Sequence, residues 1–202
     1  MKRAGILIIM RLAKPLLLIS CITCAVLVHA SESLDVRIAG IEGELLDNVS
    51  AQLGIAQLAR QTAFTALPVT DRPDSEVTEA SVRNLHRAAA KEIRQALQPF
   101  GYYSPAIEST LERVENRWLA NYQIDPGEAT LIDNIELGIK GNGRGNADLR
   151  KVLDSTKLAR GQRLQHIHYE ETKASLIKAA LAAGYLDASF SRNEIRVDPR
   201  HH

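Results

Sequence analysis

The sequence has few of the residues that carry enzyme chemistry or cross-link small domains. Only two of its 202 residues are cysteines, Cys21 and Cys24, and aromatic residues make up 4% of the chain. Both cysteines fall within the first thirty residues. The remainder of the sequence therefore excludes disulfides, a catalytic cysteine and a cysteine-based zinc site.

The N-terminal segment contains no acidic residue and has the pattern of a secretory signal peptide. Arg11 and Lys14 precede an uncharged, mostly apolar run at 15–28, and the small residue Ala30 permits cleavage before Ser31. The run is shorter than the roughly 20 residues that a transmembrane helix needs. We predict a cleaved signal peptide at 1–30 and export to the periplasm.

Two alternatives concern the same segment. Met10 is favoured as the true start, because the nine residues before it add a second apolar patch with no evident role. The run Leu-Ile-Ser-Cys ending at Cys21 resembles a lipobox, which would anchor the chain to a membrane. Uncharged residues continue after Cys21, however, where a lipoprotein normally turns polar, so signal cleavage is the preferred interpretation.

Charge argues against a nucleic-acid partner. Loss of residues 1–30 removes four of the 25 basic residues and none of the 24 acidic ones, which leaves a net charge of −3. Nucleic-acid-binding domains are typically basic. We therefore predict no nucleic-acid partner for this mildly acidic chain.

The main positive signal is a junction that occurs twice. The segments FGYYSPAI and AGYLDASF share a Gly-Tyr pair, and Gly101 and Gly184 lie 83 residues apart. Each pair follows a helical periodicity and precedes an alternating, strand-like pattern. This position suits a helix C-cap, so we predict that Gly101-Tyr102 and Gly184-Tyr185 end a helix with a positive φ at the glycine.

Each junction lies inside a longer pattern of strand, helix, helix, strand, strand. We call residues 31–127 the first repeat and residues 128–202 the second repeat. In the first repeat, the predicted strands and helices lie near 34–41, 45–60, 82–97, 106–114 and 118–124.

The second repeat follows the same order but stops early. Its predicted strands lie at 130–141 and 187–197, with helices near 146–154 and before Gly184, and the pattern yields no third strand. The predicted fold class is α+β. Each repeat is expected to be a small three-stranded sheet with two helices on one face, and the second repeat lacks its last strand.

Candidate chemical sites are weak. The glycine-rich stretch at 138–146 lies between a strand and a helix but does not have the spacing of a phosphate-binding loop, so a flexible turn is favoured. His166 and His168 are two residues apart, face different directions on a helix and have no third ligand at a suitable spacing. We predict no catalytic site, no metal and no cofactor.

The two repeats resemble POTRA domains, the periplasmic modules in front of the outer-membrane barrels of the Omp85 superfamily. The second repeat carries this resemblance in IELGIKGNGRGNADLRKVLD and GQRLQHIHYEETKASLIKAALAAGYLDASF. The first repeat resembles the first POTRA domain of the TamA family, which is the outer-membrane component of the translocation and assembly module. The segments VRIAGIEGELLDNVSAQL and LQPFGYYSPAIE carry this resemblance. The resemblance spans residues 34–198, and the order of elements carries it.

The resemblance implies further POTRA domains and a barrel beyond these residues. We therefore interpret the chain as a fragment, a truncated gene or an excised piece, with His201 and His202 either native or part of a tag. Without its last strand, the second repeat is expected to be loosely folded and the first stable.

The resemblance also implies a function through the surface. POTRA sheets are expected to have the order first–third–second strand, with the second strand on an edge that an extended chain can join. The residues expected to flank these edges are Ala106, Glu108, Thr110, Asp187, Ser189 and Ser191. Implied partners are the barrel, nascent outer-membrane or autotransporter proteins, and a TamB-like subunit that is anchored in the inner membrane. The alternative function is a stand-alone secreted module that binds a small molecule or peptidoglycan.

Overall fold

A computed structural model describes residues 32–64 and 77–198. The predictions for Ala30 and Ser31, for Met10 and Cys21, and for His201 and His202 lie outside these residues. Within the described ranges, none of the helices combines the length and the apolar character needed to cross a membrane.

The first repeat forms one sheet covered by helices. Its elements are β1 (Ser33–Ala39), α1 (Gly43–Gln52), α2 (Gly54–Phe64), α3 (Glu79–Leu97), β2 (Ala106–Val114) and β3 (Arg117–Asp125). The strand order is β1-β3-β2, with β1 parallel and β2 antiparallel to β3. The α+β class and the first–third–second strand order are confirmed for this repeat.

The single helix predicted near 45–60 is wrong, because the structure contains two helices there. Leu53 is extended, with φ −73° and ψ 110°, and it separates α1 from α2. The amide of Gly54 donates to the Glu92 carboxylate of α3 at 2.9 Å. A tertiary partner thus satisfies an amide at the start of α2, and the repeat carries three helices where two were expected.

Alternate side chains of β3 form one side of the hydrophobic core. Trp118, Ala120, Tyr122 and Ile124 point to the helices and are at most 1% exposed. They meet the stripe of α3 that the 3–4 spacing predicts, whose buried members include Val82, Ala89, Ile93 and Leu97. The alternating residues of β3 and the stripe of α3 therefore pack together in one apolar layer.

The ends of α3 and the β2–β3 hairpin follow local rules. Thr78 caps the first turn of α3 in a reciprocal pair with Ser81. Glu115 and Asn116 form the two-residue turn between β2 and β3. Glu115 holds a positive φ of 54°, a strained conformation for a residue with a Cβ.

The second repeat has helices without a sheet. It contains a 3₁₀ turn (Gly141–Gly145), α4 (Ala147–Asp154) and α5 (His166–Ala182). The strands predicted at 130–141 and 187–197 do not form. Within residues 128–198, the bridge between Leu131 and Arg163 is the sole β pairing. A strand needs a neighbour to satisfy its main chain, and within residues 128–198 neither segment has one beyond that bridge.

Candidate functional site

The first candidate surface is the outer edge of β2. β2 pairs with β3 along its whole length, from Ala106 opposite Asp125 to Val114 opposite Arg117. Among the described residues, no strand pairs with its other side. Its main chain therefore offers hydrogen-bonding groups to an incoming extended segment.

The side chains of β2 divide between the two faces of the sheet. Ala106, Glu108 and Thr110, the edge residues predicted from the sequence, are exposed and lie on the face opposite the helices. The Thr110 hydroxyl accepts a hydrogen bond from the side-chain amide of Asn121 at 3.2 Å. The helix-facing residues include Ile107 and Leu111, which pack against the core (half-buried). On the helix-facing side, Ile107 and Leu111 thus alternate with the polar Ser109 and Arg113.

Arg113 fixes the hairpin end of β2. Its guanidinium is ion-paired to Glu32 and to Glu79, the latter at 3.2 Å, and lies 5.2 Å from the Trp118 ring centre. The Trp118 indole N–H donates to Glu32 at 2.8 Å. These contacts join the hairpin end of β2 to β3, to Glu32 and to the start of α3.

A polar pair lies beneath the sheet at the centre of β3. The Tyr122 hydroxyl is 2.9 Å from Nδ1 of His86 on α3. Burial lowers the pKa of His86. Burial, with a further contribution from the Glu92 carboxylate, raises the pKa of Tyr122. Both side chains are therefore mainly neutral at pH 7, and a hydrogen bond joins them.

The corresponding residues of the second repeat do not form an edge. Asp187, Ser189 and Ser191 are exposed and lie in an irregular segment. The structure therefore does not unite them with the β2 residues in a common strand surface.

The second candidate site is the Gly-Tyr junction itself, whose two copies share the same local geometry. Gly101 and Gly184 have φ values of 88° and 86°. The glycine amides donate to the carbonyls of Gln98 and Leu181, three residues back. The following tyrosine amides donate five residues back, to the carbonyls of Leu97 and Ala180. This is the left-handed helix ending that the sequence predicts for both glycines.

The two copies differ in what surrounds them. Gly101 is buried, and a Cβ built there would lie 2.4 Å from the Leu164 carbonyl oxygen of the second repeat. Its own carbonyl accepts from the Thr130 amide at 2.8 Å. Gly184 is exposed, and a Cβ there would meet nothing within 4 Å. The first copy is therefore also a contact between the repeats.

Two tyrosines complete this contact. Tyr102 lies under the Arg163 guanidinium, 5.9 Å from the ring centre. The Tyr103 hydroxyl is 2.6 Å from Nε2 of His166, at the start of α5. The repeated Gly-Tyr pair indicates Tyr102 but not Tyr103; the absence of a second tyrosine after Gly184 is the signal that could have identified it.

Main-chain bonds extend the contact into the second repeat. The Leu164 amide donates to the Thr130 carbonyl at 2.8 Å, and the Ile132 amide donates to the Gln162 carbonyl at the same distance. The Gly161 amide donates to the Ile132 carbonyl at 2.7 Å. We call the set 101–103, 130–132 and 161–166 the joint. It is made largely of main chain, which favours a defined orientation.

Residues of the glycine-rich stretch and of the histidine pair make local contacts within the second repeat. The Tyr185 ring lies over the turn at Gly143, and its hydroxyl is 3.5 Å from the Asn142 carbonyl. The Asn146 side chain caps α4 by accepting from Asp148 and Leu149 amides. His168 contacts Glu171 at 3.4 Å. Within the described ranges, no group of three metal-ligating side chains occurs.

Parts of this chain are similar to one family model and to one solved structure. Residues 35–126, a little under half of the chain, match the family model described as POTRA domain TamA domain 1. The crystal structure of POTRA domains 3–5 of BamA from Haemophilus influenzae is similar, with 16% sequence identity and a TM-score of 0.32. That similarity covers 73% of this chain and 50% of the BamA chain, so the chain spans about half the length of that structure.

Proposed function

We propose that this chain is a docking module of an outer-membrane assembly or autotransporter secretion machine, because residues 35–126 match the family model described as POTRA domain TamA domain 1. POTRA domains of Omp85 proteins are periplasmic modules for outer-membrane protein assembly, and they act as non-catalytic scaffolds. The proposed role here is likewise non-catalytic. It consists of holding an extended client or a partner protein beside an outer-membrane barrel.

The single observation that carries this proposal is the outer edge of β2, with which none of the described strands pairs. Main-chain hydrogen bonds depend little on sequence, which suits a site that receives many different extended chains. The half-buried Ile107 and Leu111 give such a chain an apolar face to lie against. Its alternate apolar side chains would point the same way as these two residues.

The turn geometry identifies the groups that an incoming strand would meet. Val114 and Arg117 close the two-residue turn, and the closing pair of such a hairpin exchanges hydrogen bonds. The antiparallel pattern alternates, so the main-chain groups of residues 107, 109, 111 and 113 face outward. The side chains of Ala106, Glu108 and Thr110 would flank the added strand on the solvent face.

The proposed partners have different chemistry from a small-molecule ligand. Nascent outer-membrane or autotransporter strands and a TamB-like protein present extended main chain to the edge. The joint would hold the edge in a defined direction relative to the second repeat. The outer-membrane barrel would then lie beyond the second repeat.

Export is part of the same proposal. We infer cleavage of the leader after Ala30 and residence in the periplasm at the outer membrane. Intact-mass analysis of the exported protein should identify Ser31 as the first residue. A lipid-modified Cys21 would contradict this prediction and place the chain on a membrane anchor.

Nuclear magnetic resonance of the isotope-labelled exported chain tests docking on β2. The probe is a ten-residue synthetic peptide of alternating apolar and polar residues. It should shift the amide signals of β2 and slow their exchange. Ser109→Pro removes one outward amide, at an edge position where proline is tolerated. It should weaken binding about tenfold.

Ser109→Ala is the matched control, because it keeps the amide and should bind the peptide as the wild type does. Binding that shifts no β2 signal, or that is unaffected by Ser109→Pro, would contradict docking on this edge.

A further inference from the structure

The other edge of the sheet differs from β2 in having a groove beside it. β1 pairs with β3 on one side, and no described strand pairs with the other. An open groove of about 490 Å³ runs between β1 and the helices α1 and α2. Its lining includes apolar residues at alternate positions of β1 and small residues of α2: Leu34, Val36, Ile38, Ala56, Ala59 and Ala63. Polar and charged residues of α1 and α2 also line it, namely Asp47, Ser50 and Arg60.

The groove leaves the outer part of the core incompletely covered. Leu34 is buried, at 5% exposure, but Val36 and Ile38 are only half-buried. The alanines of α2 leave room above them. A strand added to β1 would direct alternate side chains into this space and cover both residues.

The exposed face of β1 carries one charge of each sign. Asp35 and Arg37 alternate with the apolar residues and face away from the helices. Asp35 has a nearby cation, Arg117 of β3, but the 3.6 Å pair is more than half exposed on both sides and constrains it little. The pattern from Leu34 to Ile38 is apolar, acidic, apolar, basic, apolar, which is complementary to itself when reversed.

We propose that β1 pairs antiparallel with β1 of a second copy of this chain, about a twofold axis at Val36. This register sets Asp35 opposite Arg37 of the partner copy, twice by symmetry. On the helix-facing side it sets Leu34 opposite Ile38 and Val36 opposite itself. Charge and apolar contacts are thereby satisfied in the same arrangement.

Neighbouring registers that keep the faces matched are disfavoured by charge. Residues opposite one another in a sheet share a face, so the pairing can slip only in steps that keep this parity. The next register in one direction sets Asp35 opposite Asp35, and the next in the other direction sets Arg37 opposite Arg37. Like charges directly opposite are destabilising. The two charges therefore select the Val36 register.

This pairing would join two sheets into one of six strands, with a β2 strand at each end. Both β2 edges would remain available in the pair. The inference is therefore independent of the proposed docking on β2, and either can hold without the other.

Sedimentation velocity of the exported chain over a range of concentrations tests the inference. The wild type should associate reversibly to a dimer. In a dimer of Asp35→Arg, the new arginine of each copy would lie opposite Arg37 of the other copy. In a dimer of Arg37→Asp, the new aspartate of each copy would lie opposite Asp35 of the other copy. Each should weaken the dimer about tenfold or more. A mixture of the two variants should restore it, as should the double variant Asp35→Arg/Arg37→Asp.

Glu108→Arg on β2 is the matched control, since it changes an exposed charge on the other edge of the same sheet and should leave the dimer unchanged. Circular dichroism of each variant checks that the fold is intact. A monomeric wild type at its solubility limit would overturn the inference. A dimer that ignores both β1 variants, or that is lost in Glu108→Arg, would overturn it as well.

Discussion

The two repeats share a helix that ends at Gly-Tyr, yet among the described residues only the helix of the first repeat packs against a sheet. In the first, Ile93 lies eight residues before Gly101 and is completely buried against β3. In the second, Leu176 lies eight residues before Gly184 and is only partly buried. Helix and cap are therefore locally encoded, whereas burial of the helix face depends on a strand from elsewhere in the chain.

The largest expected difference between the repeats is in the free energy lost when a helix side chain is shortened at matched positions. Ile93→Ala should lower the free energy of unfolding of the first repeat by about 2–5 kcal/mol, because it opens a cavity at a fully buried site. Leu176→Ala, at the matched position, should cost about 1 kcal/mol or less, since its surroundings are already open. Denaturant unfolding followed by the fluorescence of Trp118, the sole tryptophan, reports on the first repeat. A Trp118 transition equally sensitive to both changes would contradict the difference.

A smaller difference is expected at the glycines. Both Gly101→Ala and Gly184→Ala place a side chain at positive φ, which costs about 1–2 kcal/mol. Gly101→Ala also forces the new Cβ against the Leu164 carbonyl, so it should additionally displace the second repeat. Thermal melts should rank Gly101→Ala as the more destabilising. Loss of the slow exchange of the Thr130 amide should accompany that variant alone. Equal melting temperatures would mean that the joint contributes nothing.

Lowering the pH should destabilise the first repeat, because His86 takes up a proton more readily in the unfolded chain. Burial lowers the pKa of this imidazole from its ordinary 6.5, so the unfolded chain binds the proton more readily. Stability is therefore complete above pH 6.5 and declines as the pH falls below it. The Trp118 transition should show this decline between pH 7 and pH 5. In His86→Gln the decline should be flatter; an unchanged slope would assign it to other groups.

The smallest effect is expected at the hairpin turn, which only the first repeat has. Glu115→Gly relieves the positive φ at this position and should raise the stability of the first repeat by about 0.5 kcal/mol. Asn116→Gly, at the neighbouring turn residue, is the control and should not stabilise. Urea midpoints measured with Trp118 distinguish the two. A destabilised Glu115→Gly would indicate that the side chain itself holds the turn.

The parts that could be predicted from the sequence are those with local causes. The α3 stripe, the alternation of Trp118 to Ile124 and the glycine endings follow from periodicity and backbone geometry. The break at Leu53 has a local signal, because Gly54 interrupts the helical pattern. Its partner Glu92, 38 residues beyond Gly54, is brought to it only by the fold.

The strands predicted at 130–141 and 187–197 have suitable alternation, but within residues 128–198 the bridge between Leu131 and Arg163 is their sole pairing. The contact of Tyr103 with His166 joins residues 63 positions apart, so only the folded chain brings them together. Alternation therefore indicates the capacity to form a strand, and pairing decides the outcome.

Amide hydrogen exchange on the dilute, monomeric exported chain measures the contrast between a complete and an incomplete sheet. Residues 118–124 of β3 are bonded to strands on both sides and should exchange slowly, near the rate of global unfolding. Residues 187–197 have no such ladder and should exchange fast. Equal protection of both segments in the monomer would show that the second repeat has a complete sheet, and the distinction between the two repeats would then be wrong.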